Sequence, residues 1–256
     1  MDEKMIKNKK SQITIFIILA MILVVIIILL FLLMRPKDFQ VENIENPQAY
    51  IESCTREFTE EAINILSENG GDINPKPSTM FRGVNITYLY YNANFYEPCI
   101  MQRPDLINHI ENEITNYIEP RVNNCFISLK NELEKKGYDI EIGDMQLQTK
   151  LQTREVIIYI NKDFKIQKGE DIRKFNLFRV NLVHPVYSLA EVAMEIANQE
   201  AKYCNFDILG YMIFYPDYNL NKFRPGQGDV IYEIKEISTN QKFIFAIRSC
   251  ALPPGF

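Results

Sequence analysis

The chain has 256 residues, of which 47% are hydrophobic and 24% are charged, and its formal net charge is −5 at pH 7. These values are typical of a globular protein of one or two domains, and they exclude a disordered, collagen-like or disulfide-dense miniature protein. The charge is unevenly distributed: residues 1–10 carry +2, residues 13–34 carry none, and residues 35–256 therefore carry −7. The acidic excess argues against a nucleic-acid-binding surface.

The first element along the chain is the apolar run at residues 13–34, in which Thr14 is the only residue with a hydroxyl group. At about 1.5 Å per residue, a helix of this length covers roughly 33 Å, which is enough to cross a bilayer core. A secretory signal peptide would have a shorter apolar region followed by a small-residue cleavage site, whereas Arg35-Pro36-Lys37-Asp38 follows here. The run therefore predicts a transmembrane helix.

The flanking charges predict the orientation of this helix. Four lysines precede it, and only Arg35 and Lys37 follow it closely. Because basic residues favour the cytoplasmic side, the N-terminus is expected in the cytoplasm and the C-terminal domain outside the cell. The predicted organisation is a basic tip (1–11), a transmembrane or pilin-like helix (12–34), a stalk (35–48) and an extracytoplasmic domain (49–256), with a subdivision near residue 137 as an alternative.

The junction Lys9-Lys10-Ser11-Gln12-Ile13-Thr14-Ile15-Phe16 resembles the class III signal of archaeal pilins and archaellins, in which a basic tip and a small residue precede the apolar helix. The resemblance implies cleavage between Ser11 and Gln12 and packing of the retained helix in a filament. Ser11 stands where these proteins more usually have Gly. A wider resemblance, to membrane-anchored surface proteins of small symbiotic archaea, is carried by Tyr50-Ile51-Glu52-Ser53-Cys54, Gly70-Gly71 and Tyr117-Ile118…Cys125.

The region after the stalk begins with helical patterns. Asn46-Pro47 predicts a capped helix start, and Gly70-Gly71 predicts its end. A strand is expected at 84–91, and two further helices at 104–119 and 121–136, because Pro120 is expected to kink or end the first of them.

The second half is dominated by strand patterns. Residues 140–142, 145–148, 156–160, 164–166 and 175–183 predict a meander of antiparallel strands. A helix at 186–203 and strands at 208–215, 230–237 and 242–247 follow. The expected fold class is α+β, with about four helices packed on an antiparallel sheet.

Five cysteines, Cys54, Cys99, Cys125, Cys204 and Cys250, all follow the apolar run. An oxidising compartment would favour disulfides, and we predict the pairs Cys54–Cys125 and Cys204–Cys250, each within one half of the domain. Cys99 would then be a free or intermolecular thiol. Five buried thiols are the alternative, and zinc is disfavoured because the nearest two cysteines are 26 residues apart.

Little in the sequence predicts catalysis. His109 and His184 lie outside any catalytic motif and are expected to be solvated or capping residues. Glu191 and Glu195 are four residues apart and are expected to form a solvated stripe of one helix, with a catalytic pair as the alternative. No catalytic residue, metal ligand or cofactor-binding residue is therefore predicted. Asn85-Ile86-Thr87 fits the N-glycosylation pattern, which makes Asn85 a candidate acceptor.

Tyrosine-rich segments suggest contact surfaces instead. Alternate residues of a strand face opposite sides, so Tyr88, Tyr90, Tyr211 and Tyr215 are candidates for exposed rings that contact proteins or glycans. A tyrosine-rich core is the alternative explanation.

Together these patterns predict a single-pass, membrane-anchored surface protein with a non-enzymatic domain for adhesion, interaction or surface assembly. Its partners would be the bilayer, through residues 13–34, and other surface proteins or glycans, with a homo-oligomer or filament left open. A pilin-like subunit and a membrane-anchored enzyme of unknown reaction are the alternatives.

Overall fold

The computed structural model describes residues 18–26, 46–94, 97–226 and 228–248. The chain divides into two units, one ending at Glu42 and one beginning at Asn43. In the first unit, residues 18–26 are helical, and the rest of the predicted span, the basic tip, Ser11, Gln12 and most of the stalk lie outside the described residues. No helix within the described ranges has both the length and the apolar character needed to span a membrane.

The second unit contains helices and strands in the order helix, strands, helix, meander, two helices, strands. The helices are α1 (Pro47–Asn69), α2 (Leu106–Lys135), α3 (Val186–Tyr203) and α4 (Ile208–Phe214). The strands are β1 (Ser78–Phe81), β2 (Val84–Tyr91), β3 (Ile100–Met101), β4 (Asp139–Gln152), β5 (Glu155–Lys168), β6 (Asp171–Val183), β7 (Tyr218–Gly226), β8 (Asp229–Glu236) and β9 (Lys242–Arg248). The predicted α+β class is confirmed.

The predicted meander is a three-stranded antiparallel sheet with the order β4-β5-β6. Its strands are longer than predicted, because the predicted pieces at 140–142 and 145–148 are one strand with a register shift between Ile142 and Met145. A second register shift between Asn161 and Phe164 joins the next two pieces. β-Bulges accommodate the extra residues without ending a strand. A break in the alternation of apolar and polar residues therefore does not mark a strand end in this sheet.

The remaining strands form a separate six-stranded sheet with the order β1-β2-β9-β8-β7, and β3 pairs with β2. The expectation of one purely antiparallel sheet is therefore wrong. The pair β2–β9 is parallel, with Tyr88 opposite Ala246, while the other pairs are antiparallel. Parallel neighbours need a long connection, and here most of the second unit lies between the two strands.

The six-stranded sheet curls so that its two edges meet. The Phe81 ring of β1 lies 5.0 Å from the Phe223 ring of β7, although these strands are at opposite ends of the strand order. The Arg82 guanidinium lies 4.8 Å and 4.9 Å from the same two ring centres. Enclosed by the curl is an apolar cluster of Ile86, Tyr88, Ile231, Ile244 and Ala246. The curl therefore gives this sheet a second core on its concave side.

Helix α1 has the predicted bounds. The Asn46 side chain accepts a hydrogen bond from the Ala49 amide at 3.4 Å, and Gly70 ends the helix at φ 77°. The left-handed conformation at Gly70 favours glycine. A side chain there would also come within 3.2 Å of Thr87 and of the Ile244 carbonyl oxygen. Gly70 thus allows the end of α1 to pack closely against the six-stranded sheet.

The predicted break at Pro120 is wrong, because α2 continues through it as one 30-residue helix. Its buried face keeps the same register on both sides, with Ile114 and Ile118 before the proline and Val122 after it. Proline disrupts the backbone bonds of the preceding turn, but Arg121 Nη1 donates to the Tyr117 carbonyl at 2.7 Å. Burial of the continuous apolar face stabilises the helix despite the proline.

The predicted strand at 208–215 is also wrong, because residues Ile208–Phe214 form helix α4. A short run of apolar residues fits either structure, and here the Asp207 side chain caps the helix by accepting from the Gly210 amide at 3.1 Å. Strand β7, which follows, was not predicted, because its polar residues and Pro225 obscure the alternation around buried Leu220.

Candidate functional site

The most extensive polar cluster in the described residues joins the end of α1, strand β2 and the start of α2. We call it the Asp72 cluster, and it consists of Asp72, Thr87, Arg103, His109 and Glu113. The Gly70-Gly71 pair turns the chain after α1 so that Asp72 faces α2. At Gly71 (φ 97°) a Cβ would come within 2.9 Å of Leu106 Cδ1, so this approach also requires glycine.

Asp72 is the centre of the cluster and is only 3% exposed. Its Oδ1 accepts from Arg103 Nη2 at 3.0 Å and lies 2.7 Å from His109 Nε2. Its Oδ2 accepts from Thr87 Oγ1 at 2.5 Å and from Arg103 Nη2 at 3.2 Å. Both carboxylate oxygens are thus hydrogen-bonded, as a buried charge requires.

Burial alone would raise the pKa of Asp72, but the hydrogen bonds from His109, Thr87 and Arg103 outweigh it and lower the pKa. Asp72 is therefore an ionised carboxylate at neutral pH, held in place by one formal cation and two polar partners. A carboxylate in this state is a poor general base, because its pKa lies far from neutrality.

His109 contradicts the expectation of a solvated histidine. Its Nε2 faces both Asp72 Oδ1 and Arg103 Nε, which lies 3.2 Å away. A single ring nitrogen donates to Asp72 when protonated and accepts from Arg103 when it is not, so the two contacts are mutually exclusive. The choice between them depends on the protonation of this nitrogen.

Asp72, His109 and Glu113 place one ligand atom each within 4.8 Å of one another, an arrangement that a divalent cation accepts. The donor set is already engaged, however. Arg103 bonds both oxygens of Asp72, and Glu113 Oε2 accepts from the Ile73 amide at 2.8 Å. A metal ion would have to displace the guanidinium, so the residues fit an internal ion-pair network better than a metal centre.

No family model matches the chain, and no curated protein and no solved structure matches it either.

The predicted disulfide Cys54–Cys125 is confirmed, and it joins α1 to α2 with a Cα–Cα distance of 6.4 Å. Cys204 is also disulfide-bonded. Its predicted partner, Cys250, lies outside the described residues, so that pairing stays a prediction. Cys99 is a free, half-buried cysteine, and burial raises the pKa of its thiol, which lowers its reactivity.

Two of the four predicted contact tyrosines are buried, so their predictions are wrong. Tyr88 is 3% exposed because the curled sheet encloses it, and Tyr211 is 8% exposed because it lies on the inner side of α4 rather than on a strand. Tyr90 is half-buried, and its hydroxyl donates to Asn198 Oδ1 at 2.6 Å. Only Tyr215, at 48%, is an exposed ring.

The glycosylation motif contains one exposed residue, the asparagine, and a buried threonine. Asn85 is exposed on β2, opposite Met80 in the β1–β2 hairpin. Thr87 is fully buried and donates to Asp72. Asn85 is therefore accessible in the folded domain, whereas the hydroxyl of its motif is part of the Asp72 cluster.

The other candidate acids and bases are engaged in internal contacts. His184 Nδ1 accepts from the Val186 amide at 3.1 Å, and burial lowers the pKa of this histidine. Glu195 accepts from the Tyr211 hydroxyl at 3.2 Å, and Glu191 interacts with Tyr187. The two glutamates therefore serve different tyrosines, which is not the arrangement of a catalytic pair.

A cavity of about 260 Å³ lies beside the end of α3, between Glu200, Cys204 and the β7–β8 turn. The carboxylate of Glu200 accepts from Lys222 Nζ at 2.8 Å and from the Tyr232 hydroxyl at 2.7 Å. Burial and the Glu200 carboxylate both raise the pKa of Tyr232. Glu200 is thus paired with internal partners, whereas Asp229, the second acid that lines the cavity, accepts from Thr79 Oγ1 through Oδ2 and has a buried Oδ1 without a hydrogen-bond partner.

Sequence reasoning missed the central residues of the Asp72 cluster, because Asp72 and Arg103 belong to no motif and are 31 residues apart. The only local signal was an acidic residue directly after the Gly-Gly turn, which many surface loops share.

Proposed function

We propose that this protein is a single-pass membrane-anchored surface protein whose domain from residue 49 onward lies outside the cytoplasm and acts by binding rather than by catalysis. The observation that carries the proposal is the disulfide Cys54–Cys125, together with the disulfide-bonded state of Cys204. Disulfides persist in oxidising compartments and are rare in the cytosol. They support an extracytoplasmic position for the residues that follow the apolar run.

The anchor itself is inferred from the uncharged run at 13–34, of which residues 18–26 are helical. About 20 apolar residues are needed to cross a bilayer as a helix, and only a helix satisfies its own backbone in a single crossing. Lysines on the N-terminal side favour the orientation that places the cysteines outside. The anchor and the disulfides thus support the same topology.

Binding is favoured over catalysis by the state of the polar groups. Two of the buried acids, Asp72 and Glu200, are paired with Arg103 and Lys222, and the acceptor nitrogen of His184 caps a helix. A general acid or base needs a proton site that the substrate can reach. These groups instead hold elements of the domain together.

Membrane extraction and topology mapping test this proposal. The full chain is expected to stay in the membrane fraction after alkaline extraction, and its domain is expected to be digested by protease added to the outside of intact cells. The matched variant Val24→Arg/Val25→Arg interrupts the run and should release the chain into the soluble fraction. Retention of the variant, or protection of the domain from external protease, would refute the anchor or its orientation.

N-terminal sequencing of the mature protein separates the anchored protein from the pilin-like alternative. An intact tip supports a permanent anchor, whereas a chain beginning at Gln12 supports a processed subunit. A processed chain recovered in ordered polymers would replace the proposal with the filament alternative.

A further inference from the structure

A cavity of about 230 Å³ lies at the end of the curled sheet where β2 and β9 begin, beside the last turn of α1. We call this cavity the sheet mouth. Its charged lining residues are Glu68, Arg82 and Lys242. Its apolar lining residues are Phe81, Val84, Ile86 and Ile244. One wall of the sheet mouth is therefore apolar, and charged groups occupy the rest of its lining.

The apolar wall is continuous with the second core of the domain. Ile86 and Ile244 belong to the apolar cluster on the concave side of the sheet, and Phe81 packs against that cluster. Val84 lies two residues before Ile86 on β2, so it faces the same side. Small-molecule sites often lie at the mouths of β-barrels, on apolar walls that are largely preformed. The sheet mouth has this position and this kind of wall.

The charged side chains at this end of the sheet carry an excess of positive charge. Lys242 pairs with Glu68 at 2.9 Å, and Arg82 pairs with Glu233 at 3.3 Å. Lys235 lies directly opposite Lys242 on the paired strands β8 and β9, and it has no ion pair with any residue that the structure describes. Like charges on facing residues repel one another, and an anion beside them relieves this repulsion. These five side chains leave one positive charge uncompensated, in a domain whose residues 35–256 carry −7.

Arg82 occupies a backbone position that does not favour arginine. It is the first residue of the two-residue turn between β1 and β2, with φ 52°, and Gly83 follows at φ 84°. Such turns prefer Asn, Asp or Gly at this position. The guanidinium is held between the Phe81 and Phe223 rings, yet the side chain is 60% exposed. Only its Nη1 donates to another described residue, Glu233, so further donors face outward at the sheet mouth.

We propose that the sheet mouth binds a small amphipathic monocarboxylate, with its apolar tail against Phe81, Ile86 and Ile244 and its carboxylate at Arg82 and Lys242. A carboxylate matches the forked donors of a guanidinium, and a single negative charge matches the uncompensated positive charge. The ion pairs of Arg82 and Lys242 are exposed and therefore weak, so a ligand carboxylate can compete for both cations.

The volume of the sheet mouth limits the size of the ligand. Pockets for drug-sized ligands measure roughly 300–1,000 Å³, so a cavity of about 230 Å³ accepts a tail of only a few carbon atoms. The inference goes beyond the proposed function, because neither the membrane anchor nor the orientation of the chain enters it.

Methyl NMR of the full chain in non-ionic detergent micelles tests the site, with protein-free micelles as the blank. Isoleucine methyl groups are isotope-labelled, Ile244→Val identifies the Ile244 signal, and Ile172 is the remote control because it is half-exposed on β6. Hexanoate is expected to shift the Ile244 signal saturably, with a Kd of about 0.1–1 mM, and to leave the Ile172 signal unchanged.

Two probes test which parts of the ligand matter. Acetate lacks the tail and hexylammonium reverses the charge, so each should bind at least about tenfold more weakly than hexanoate. The absence of a saturable shift at Ile244, an equal shift at Ile172, or equal affinity for hexanoate and hexylammonium would overturn the proposal.

Arg82→Gln separates a binding role of Arg82 from a role in closing the sheet. Loss of the guanidinium charge should lower the affinity for hexanoate at least about fivefold, whereas hexanol, which has the same tail and no charge, should bind as it does to the parent chain. Arg173→Gln is the matched control, because Arg173 is a partly exposed arginine on a different sheet with a weak pair to Asp171. It should change neither affinity. An equal loss for hexanoate and hexanol in Arg82→Gln would mean that Arg82 only shapes the sheet, and would overturn the proposal.

Lys242→Gln provides a second test that does not depend on the β1–β2 turn. The Lys242 side chain is 44% exposed, so its replacement should leave the fold intact, as circular dichroism verifies, and should lower the affinity for hexanoate about threefold or more. Unchanged hexanoate affinity in this variant would overturn the proposal. The membrane-extraction experiment does not involve this cavity, so failure of the anchor and failure of the site are distinguishable.

Discussion

Removal of the Cys54–Cys125 disulfide should destabilise the domain by a predictable amount. The bond joins residues separated by 71 positions and so restricts a long loop of the unfolded chain. For a loop of this length, the chain-entropy relation gives about 4 kcal/mol at 25 °C, and native disulfides typically contribute about 2–5 kcal/mol. Cys54→Ala/Cys125→Ala is the suitable variant, because Cys125 is buried and alanine removes the bond without adding a polar group to the core.

Urea unfolding of the full chain in mild detergent, followed by far-UV circular dichroism, measures this loss. The chain contains no tryptophan, so the dichroism signal of its helices is preferable to fluorescence. With a slope of about 2 kcal/mol per molar urea, the midpoint should fall by roughly 2 M, and the slope should rise because the unfolded chain without the bond is less compact. Mutation is preferable to a reductant, because a reductant would also open the disulfide of Cys204.

Cys99→Ala is the matched control, because Cys99 is a free thiol, and its midpoint should stay within about 0.5 M of the parent chain. A shift in the double variant no larger than that of the control would refute the reasoning. Such a result would mean that the loop between the two cysteines is already restricted in the unfolded chain. It could also mean that packing holds α1 against α2 equally well without the disulfide.

Three further perturbations test the internal polar contacts by the same unfolding assay. Asp72→Ala leaves Arg103 without its buried partner and should cost about 3–5 kcal/mol. His184 has a folded-state pKa below its unfolded value of 6.5, because burial disfavours its charged form, so stability should be complete above pH 6.5 and fall as the pH decreases below it. Lys222→Met strands the Glu200 carboxylate, which is 3% exposed, and should cost about 3 kcal/mol. Lys222→Met/Glu200→Gln should recover most of the loss, because the uncharged amide oxygen still accepts from the buried Tyr232 hydroxyl.

Each of these perturbations has a matched control. Glu52→Ala removes an exposed ion pair with Arg56 and should cost less than about 0.5 kcal/mol. A loss of unfolding free energy as small as this for Asp72→Ala would contradict a stabilising role for the Asp72 cluster. His184→Asn keeps an acceptor for the helix amide but does not titrate, so a pH dependence that persists in this variant excludes His184 as its source. A Lys222/Glu200 double variant as unstable as Lys222→Met would show that the lost pair itself, and not the stranded charge, dominates.

Local signals in the sequence were sufficient for several elements. Asn46 and Gly70 fixed the two ends of α1, because a cap side chain and a left-handed glycine act within one turn of the helix. The strand patterns predicted the meander of β4, β5 and β6, although not its bulges. Cys54 and Cys125 were paired correctly, because both were placed on neighbouring helices in the same half of the domain.

Contacts between distant segments decided what the sequence did not. Pro120 lies inside α2 because the apolar face on both sides of it packs in one register, and Tyr88 is buried because β1 folds across the sheet toward β7. The Asp72 cluster arises in the same way, from residues whose roles depend on what packs beside them. Thus the sequence by itself determined the apolar run, the acidic domain and the locally capped elements, since these depend on neighbouring residues. Only the tertiary structure decided which polar groups are neutralised and which apolar face stays exposed, because burial is a property of the packed chain.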